Sequence, residues 1–220
     1  MKTERQSEKT EKNTKNGYIF CIIGKSAVGK DTLYRELKKQ CPALKTCVLY
    51  TTRPPRDGEK GGVSYHFTSE AQLSAYEKAG KLIEQRRYET VQGPWIYATI
   101  DDGQIRLREA SYLMQATLAS YEKLRAYYGA AAVIPLYIEA DDLTRIRRSI
   151  DRESRQHAPN IKEVCRRYLA DELDFSEEKL LAAGIRKRYR NEKKEQCIHA
   201  LLETIHAYLD GKIRDGDEAR

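Results

Sequence analysis

The sequence lacks the features of a secreted or membrane-spanning protein. Its five cysteines are odd in number and show no CxxC spacing, which indicates neither a disulfide framework nor a zinc site. No apolar run is long enough to cross a bilayer, and the N-terminus has no apolar signal-peptide core. We therefore expect a cytoplasmic protein with no membrane partner.

The sequence also lacks an excess of acidic residues. Charged residues make up 33% of the 220 positions and the formal net charge is +7. This balance favours an anionic ligand, but it does not distinguish a nucleotide from a nucleic acid. The length suits one domain, expected over residues 17–210. Residues 1–16 are almost entirely polar and predict a disordered tail, and residues 211–220 predict a second polar tail.

What the sequence does contain is a glycine-bearing segment, GKSAVGKDT, at residues 24–32. The apolar run 18–23 before it predicts a buried strand of a parallel sheet, and Leu33 and Leu37 after it predict a helix to about Gln40. Glycines let backbone N–H groups surround an anion, and a helix N-terminus adds its dipole. The segment therefore predicts an ATP phosphate site made by Gly24, Ser26, Ala27, Val28, Gly29, Lys30, Asp31 and Thr32.

Lys30 is the predicted catalytic cation, since the lysine of such a loop follows the transferred phosphoryl group. The next position usually holds Ser or Thr as a magnesium ligand, but here it is Asp31, with Thr32 beside it. Either residue is a candidate ligand for Mg²⁺ bound with ATP. The alternative is a glycine-containing turn that binds nothing.

A second motif, TTRPPRDGEKGGVSYHF, occupies residues 51–67 after a predicted strand at 46–50. Its two prolines stiffen the loop, and Arg53 and Arg56 suit a dianionic phosphate. From residue 18 to about residue 98 the chain resembles the guanylate kinases, whose signature joins a phosphate loop to TTRxPRxGExxGxxYxF. The resemblance implies ATP-dependent phosphoryl transfer to GMP or dGMP.

The resemblance also implies the residues that bind the acceptor, in a region of about 50–100. The two arginines and the first tyrosine would hold the phosphate, and the glutamate would accept from both guanine donors. A second tyrosine would also meet the phosphate, and a threonine would lie near the base. These GMP-binding candidates are Arg53, Arg56, Tyr65, Glu84, Tyr97 and Thr99.

Two positions and one strand depart from the family pattern. Leu49 stands four residues before Arg53, where the family usually has a serine that reaches the base, and Ala98 stands where glycine is customary. The strand at 111–116 has no carboxylate, although the family's strand carries acidic residues near the base. An acceptor other than GMP therefore stays an alternative.

The remaining chain alternates strands with helices. This order predicts an α/β fold with a three-layer P-loop parallel sheet, helices on both faces and, from the resemblance, a small GMP-binding β subdomain. Pro135, in the predicted strand 132–138, suggests a sheet edge or a bulge.

An arginine-rich pair of helices is predicted at about 141–170, beginning at Asp141 and after Asn160. It resembles the family's closing lid, which implies catalytic roles for Arg148, Arg152 and Arg167. Asn191 resembles the family asparagine beside the adenine of ATP. A basic solvated surface is the alternative interpretation of these arginines.

Two rival functions of another class remain. A guanylate kinase-like domain can be a non-catalytic nucleotide-binding or protein-binding module, but such a scaffold would not need Lys30 or the lid arginines. A basic nucleic-acid-binding domain would not need a phosphate loop, so a nucleic-acid partner is not expected. The sequence does not indicate an oligomeric state.

Overall fold

A computed structural model describes residues 16–90 and 93–212 of the chain. Residues 1–15, 91–92 and 213–220 lie outside the described residues. The predicted tails at 1–16 and 211–220 therefore lie almost wholly outside them. None of the helices in the described part combines the length and the apolar character needed to cross a bilayer.

The main sheet has four parallel strands in the spatial order β6-β1-β7-β8. Their bounds are β1 Ile19–Ile23, β6 Tyr112–Gln115, β7 Val133–Glu139 and β8 Arg188–Arg190. All five residues of β1 are buried, as expected for a central strand covered on both faces.

Helices cover both faces of this sheet. On one face, α1 (Lys30–Gln40) and α7 (Lys194–Leu209) pack against Phe20 and Ile22. On the other, α3 (Leu118–Tyr128) and α6 (Glu177–Ala182) pack against Ile19, Cys21 and Ile23. Successive strand residues point to opposite faces, so one apolar run supplies both cores. The predicted three-layer α/β fold is confirmed.

A second sheet has the order β3-β2-β5-β4. Its strands are β2 Tyr50–Thr51, β3 His66–Phe67, β4 Leu82–Thr90 and β5 Gly93–Ile100. Helix α2 (Glu70–Lys78) begins after Ser69, whose side chain accepts a hydrogen bond from the Gln72 N–H, and packs Leu73 against Ile96 and Ala98. One face of the small sheet is thus an apolar core. Ile83 joins β4 to the core of the main sheet.

The arginine-rich segment forms two helices, α4 (Asp142–Glu153) and α5 (Ile161–Asp174). Asp141 caps α4 by accepting from the Thr144 N–H at 2.8 Å, and Asn160 caps α5 by accepting from the Glu163 N–H at 3.1 Å. These caps satisfy N–H groups that a helix end leaves unpaired. The two predicted helix starts are therefore confirmed.

Two strand predictions need correction. The expected strand at 46–50 is only Tyr50–Thr51, and it belongs to the small sheet. Pro135 predicted an edge strand, but β7 lies between β1 and β8, and its register with β1 contains no bulge. The proline is tolerated there because pairing with β8 begins only at Tyr137.

Candidate active site

The phosphate loop lies between β1 and α1, where the sequence predicted it. Its turn requires left-handed backbone at Ala27 (φ 61°) and at Gly29 (φ 98°). A Cβ on Gly29 would lie 2.5 Å from Nδ2 of Asn191, so only glycine fits this close approach. The Asn191 amide also donates to the Val28 carbonyl at 2.7 Å. Asn191 therefore supports the loop backbone directly.

Lys30 opens α1 with its side chain turned back over the loop. Its Nζ donates to the Gly24 carbonyl at 2.5 Å and to the Lys25 carbonyl at 2.8 Å. Burial lowers the pKa of Lys30 to about 8, although Asp171 and Asp31 act in the opposite direction. The ammonium is thus held at the mouth of the phosphate loop.

Asp31 and Thr32 occupy the first turn of α1, with Asp31 exposed. Within residues 16–90 and 93–212, no group of three or more His, Cys, Asp or Glu side chains could hold a metal. Mg²⁺ usually takes only one or two protein carboxylates and completes its shell with water and phosphate oxygens. The donors present beside the loop are of the kind that magnesium bound to a nucleotide uses.

A charged cluster that the sequence analysis missed ties the lid to this loop. Arg145 is 2% exposed and pairs with Asp142 at 2.7 Å, Glu172 at 2.9 Å and Asp171 at 3.2 Å. Its Nε donates to the Ser26 carbonyl at 3.3 Å. Asp171 accepts from the Ser26 N–H at 2.7 Å. Helices α4 and α5 thus hold both the N–H and the carbonyl of one loop residue, Ser26.

The three predicted lid arginines do not share one place. Arg152 and Arg167 line a small cleft together with Ser26 and Asp171. Arg148 instead donates to the Asn191 carbonyl at 3.0 Å. In α4, Arg145 and Arg152 lie two turns apart on one face, and this spacing is the signal that could have pointed to Arg145.

Arg167 is exposed and paired within its own helix. Its Nε donates to Glu163 at 2.7 Å, and Arg166 donates to the same carboxylate. Hydrogen bonds from Arg166, joined by those from Arg167, lower the pKa of Glu163 to about 2. The lid therefore carries its own counter-charge.

A wider cleft of about 390 Å³ opens beside the loop at the carboxyl ends of β7 and β8. Ligands of open α/β sheets bind at this edge. Phosphate-loop residues line this cleft together with acidic and basic side chains from other segments. The lining includes Lys25, Val28, Asp141, Arg145, Arg190 and Glu192.

Most of the predicted acceptor residues gather on the face of the small sheet opposite α2. Glu84 and Arg86 in β4 lie opposite Thr99 and Tyr97 in β5, so all four side chains point to the same side. The ring of Tyr65 lies 5.6 Å from that of Tyr97. This face therefore brings Tyr65, Glu84, Tyr97 and Thr99 close to one another.

Arg53 is almost fully enclosed at one end of this face, 3% exposed. Its guanidinium donates to Tyr97 Oη at 3.2 Å and to both Glu59 oxygens at 2.8 and 2.9 Å, and it lies over the Tyr65 ring. Arg56 has an exposed side chain, while its N–H donates to Glu59. Arg53 thus orders the aromatic wall, whereas Arg56 faces solvent.

Glu84 lies at the other end and is 5% exposed. Thr99 Oγ1 donates to Oε1 at 2.7 Å, and Ser120 Oγ donates to Oε2 at 3.0 Å. Ser120 lies in α3, 36 residues away from Glu84, and no sequence motif points to it. Arg86 forms an ion pair with the same carboxylate at 3.2 Å.

Comparison with known proteins shows the family. The family model described as guanylate kinase matches residues 16–176. The chain belongs to the guanylate kinase family. The guanylate kinase of Tropheryma whipplei (strain Twist) is 31% identical over 134 residues, which span 59% of this chain and 68% of that protein.

Other relatives match over shorter stretches. The guanylate kinase of Thermosynechococcus vestitus is 46% identical over 68 residues, 31% of this chain and 36% of that protein. That of Nocardia farcinica is 40% identical over 72 residues, 33% of this chain and 37% of that protein. The match thus spans little more than a third of these two relatives. The crystal structure of guanylate kinase from Anaplasma phagocytophilum has a TM-score of 0.59 at 18% identity, covering 88% of this chain and 86% of that one, and supports the fold.

Proposed function

We propose that this protein is a nucleoside monophosphate kinase that transfers the γ-phosphoryl group of MgATP to GMP or dGMP. The observation that carries the proposal is the presence, in one chain, of a lysine-bearing phosphate loop and a separate face that collects Arg53, Tyr65, Tyr97 and Glu84. A kinase needs both sites, whereas a protein-binding scaffold needs neither.

The reaction requires no covalent enzyme intermediate. An oxygen of the acceptor phosphate forms a bond to the γ-phosphorus while the bond to the β,γ-bridging oxygen breaks and ADP leaves. The protein's task is to align two polyanions, neutralise them and exclude water. Lys30 and the loop N–H groups would serve the donor phosphates. Arg53 and Arg56, with Tyr65 and Tyr97, would hold the acceptor phosphate.

The lid would complete the site on closure. Arg152 and Arg167 already line the cleft that contains Ser26, so a small movement of α4 and α5 would bring them onto the phosphates. Arg148 supports Asn191 and would act by positioning the loop. Asp31 or Thr32 would hold Mg²⁺, which adds positive charge to the triphosphate.

The cleft at the ends of β7 and β8 suits the nucleoside part of ATP, because it adjoins the loop and lies at the edge where such ligands bind. The domain limits of 17–210 stay predictions, as does the cytoplasmic location. The acceptor region at about 50–100 would include the small sheet, and the lid at about 141–170 would be formed by α4 and α5.

A coupled ADP-release assay with ATP and a panel of GMP, dGMP, AMP, CMP and UMP tests the proposal. Transfer to GMP or dGMP should exceed that to AMP by at least about tenfold, because adenine lacks the two adjacent donors that guanine would present to the buried Glu84 carboxylate. Best activity with a pyrimidine nucleotide would identify another acceptor, a function that Leu49 and the carboxylate-free β6 favour. If none of these nucleotides stimulates ADP release, the protein is a non-catalytic binding module.

A further inference from the structure

The acceptor face contains a charged residue, Arg86, to which the family motif gives no role. Arg86 follows Glu84 by two positions in β4, so both side chains point to the ligand side, opposite Tyr97 and Thr99. Its side chain is 20% exposed. The next residue, Arg87, points to the other side, is 51% exposed and pairs with Glu89 and Glu70. Only the first of these arginines belongs to the acceptor face.

Glu84 retains free acceptor capacity in this site. A carboxylate has about four lone-pair positions, and the Thr99 and Ser120 hydroxyls each take one. Each oxygen therefore keeps a second position, which at Oε1 is met only by a long contact of 3.5 Å from Arg86 Nη2. Because Arg86 lies beside the carboxylate, the buried negative charge of Glu84 is balanced within the protein.

Arg86 retains free donor capacity. Its Nε is buried and has no hydrogen-bond partner in the described part of the chain, despite lying 3.2 Å from Glu84 Oε2. Its Nη2 reaches Glu84 Oε1 only at 3.5 Å. A guanidinium has about five N–H donors, so most of them are available to a molecule bound on this face.

The two residues together match one nucleobase edge. Guanine presents two adjacent donors, N1–H and the 2-amino group, followed by the acceptor O6. Glu84 offers acceptors and Arg86 offers donors on the same face of the sheet. Arginine is a suitable donor to guanine O6, with N7 as a second acceptor. Leu49 offers no side-chain donor at the position where the family usually has a serine.

We propose that Arg86 is a specificity-determining residue of the acceptor site and donates to O6 of guanine while Glu84 accepts from N1–H and the 2-amino group. This inference rests on the proposed kinase function. Adenine reverses the pattern, because its 6-amino group would face Arg86 and its unprotonated N1 would face Glu84. The pair therefore disfavours AMP at two positions.

Equilibrium binding by calorimetry, without ATP, tests the inference. GMP and its 6-thio analogue, whose sulfur is a weak acceptor, are titrated into wild type, Arg86→Met and Arg87→Met. Arg86→Met should weaken GMP binding by about tenfold or more, while Arg87→Met should leave it unchanged. In wild type the 6-thio substitution should weaken binding, and in Arg86→Met it should make little further difference, because the contact is already lost.

Arg86→Lys provides a second variant that keeps the charge beside Glu84. It should bind GMP with an affinity between those of wild type and Arg86→Met, since lysine can give a donor but lacks the planar fork. Thermal unfolding of each variant shows whether the fold survives. If Arg86→Met does not fold, Arg86→Lys decides the question. The loss of affinity caused by the 6-thio substitution should then be smaller in Arg86→Lys than in wild type.

Other outcomes overturn the inference. Equal weakening of GMP, AMP and UMP would place Arg86 at the phosphate, and tighter GMP binding in Arg86→Met would show that it competes with the base for Glu84. Transfer to GMP with binding indifferent to Arg86 would overturn the inference alone. GMP binding that depends on Arg86 without ADP release would overturn only the kinase proposal, and absence of GMP binding would overturn both.

Discussion

Replacing Arg145 with methionine should lower the free energy of unfolding by about 3 kcal/mol. Arg145 is only 2% exposed and forms ion pairs with Asp142, Asp171 and Glu172. Methionine keeps much of the volume of the aliphatic stem and removes the charge. The measured loss would therefore report the ion network rather than a cavity.

The magnitude follows from the exposure of the partners. Removing one member of a buried ion pair costs about 3–5 kcal/mol. Asp142 and Glu172 are 58% and 38% exposed, so water can solvate them once the cation is gone, whereas Asp171 is 14% exposed. Loss of the guanidinium contact with the Tyr168 ring, at 5.0 Å, adds about 0.5–1 kcal/mol. The lower end of the range is therefore expected.

Urea unfolding followed by circular dichroism gives this free energy directly. The corresponding decrease in Tm is about 6–12 °C for a chain of this size. Arg147→Met is the matched control, because Arg147 is exposed on the same helix, and its effect should stay within about 0.5 kcal/mol. A loss below about 1 kcal/mol for Arg145→Met would refute the view that this cluster stabilises the junction of lid and loop.

Three further predictions concern the phosphate loop and the lid. Lys30→Met should unfold within about 2 kcal/mol of wild type yet lose transfer by orders of magnitude, because its charge acts on the transferred group; a variant that keeps most of its ADP release would contradict this. Wild-type affinity for a non-hydrolysable ATP analogue should fall as pH rises above about 8, because burial lowers the pKa of Lys30 to about 8 and deprotonation removes the charge. A Lys30→Arg variant, charged throughout, should show a flatter profile by fluorescence titration, and a flat wild-type profile would refute the assignment. Arg152→Met and Arg167→Met should each reduce kcat more than ATP affinity, because their phosphate contacts form on closure; equal losses would indicate a static basic surface.

Local features were predictable because their causes are local. The glycines of the phosphate loop, the caps at Ser69, Asp141 and Asn160, and the apolar run of β1 each depend on a few neighbouring residues. A cap acts within one helical turn, and an alternating strand needs only its own side chains to show its two faces. These elements and the family motif were sufficient to predict the α/β fold.

Pairings between distant segments were not predictable in the same way. The strand at Tyr50–Thr51 joins the small sheet by pairing with β3 and β5. Strand β7 can be interior despite Pro135 because β1 pairs with residues 133–137, whereas β8 pairs only with residues 137–139. Such pairing depends on the register of the whole sheet, which cannot be predicted from a short segment.

The amino-acid sequence by itself determined where a phosphate loop, an acceptor motif and an arginine-rich helix pair occur. Only the tertiary structure decided which of their charges are buried and what balances them. Arg145 and Arg147 look alike in the sequence, yet one is enclosed by carboxylates and the other faces solvent. The physical reason is that a charge becomes buried only when partners from distant segments converge on it, as Thr99 and Ser120 do at Glu84. That convergence is a property of the folded chain.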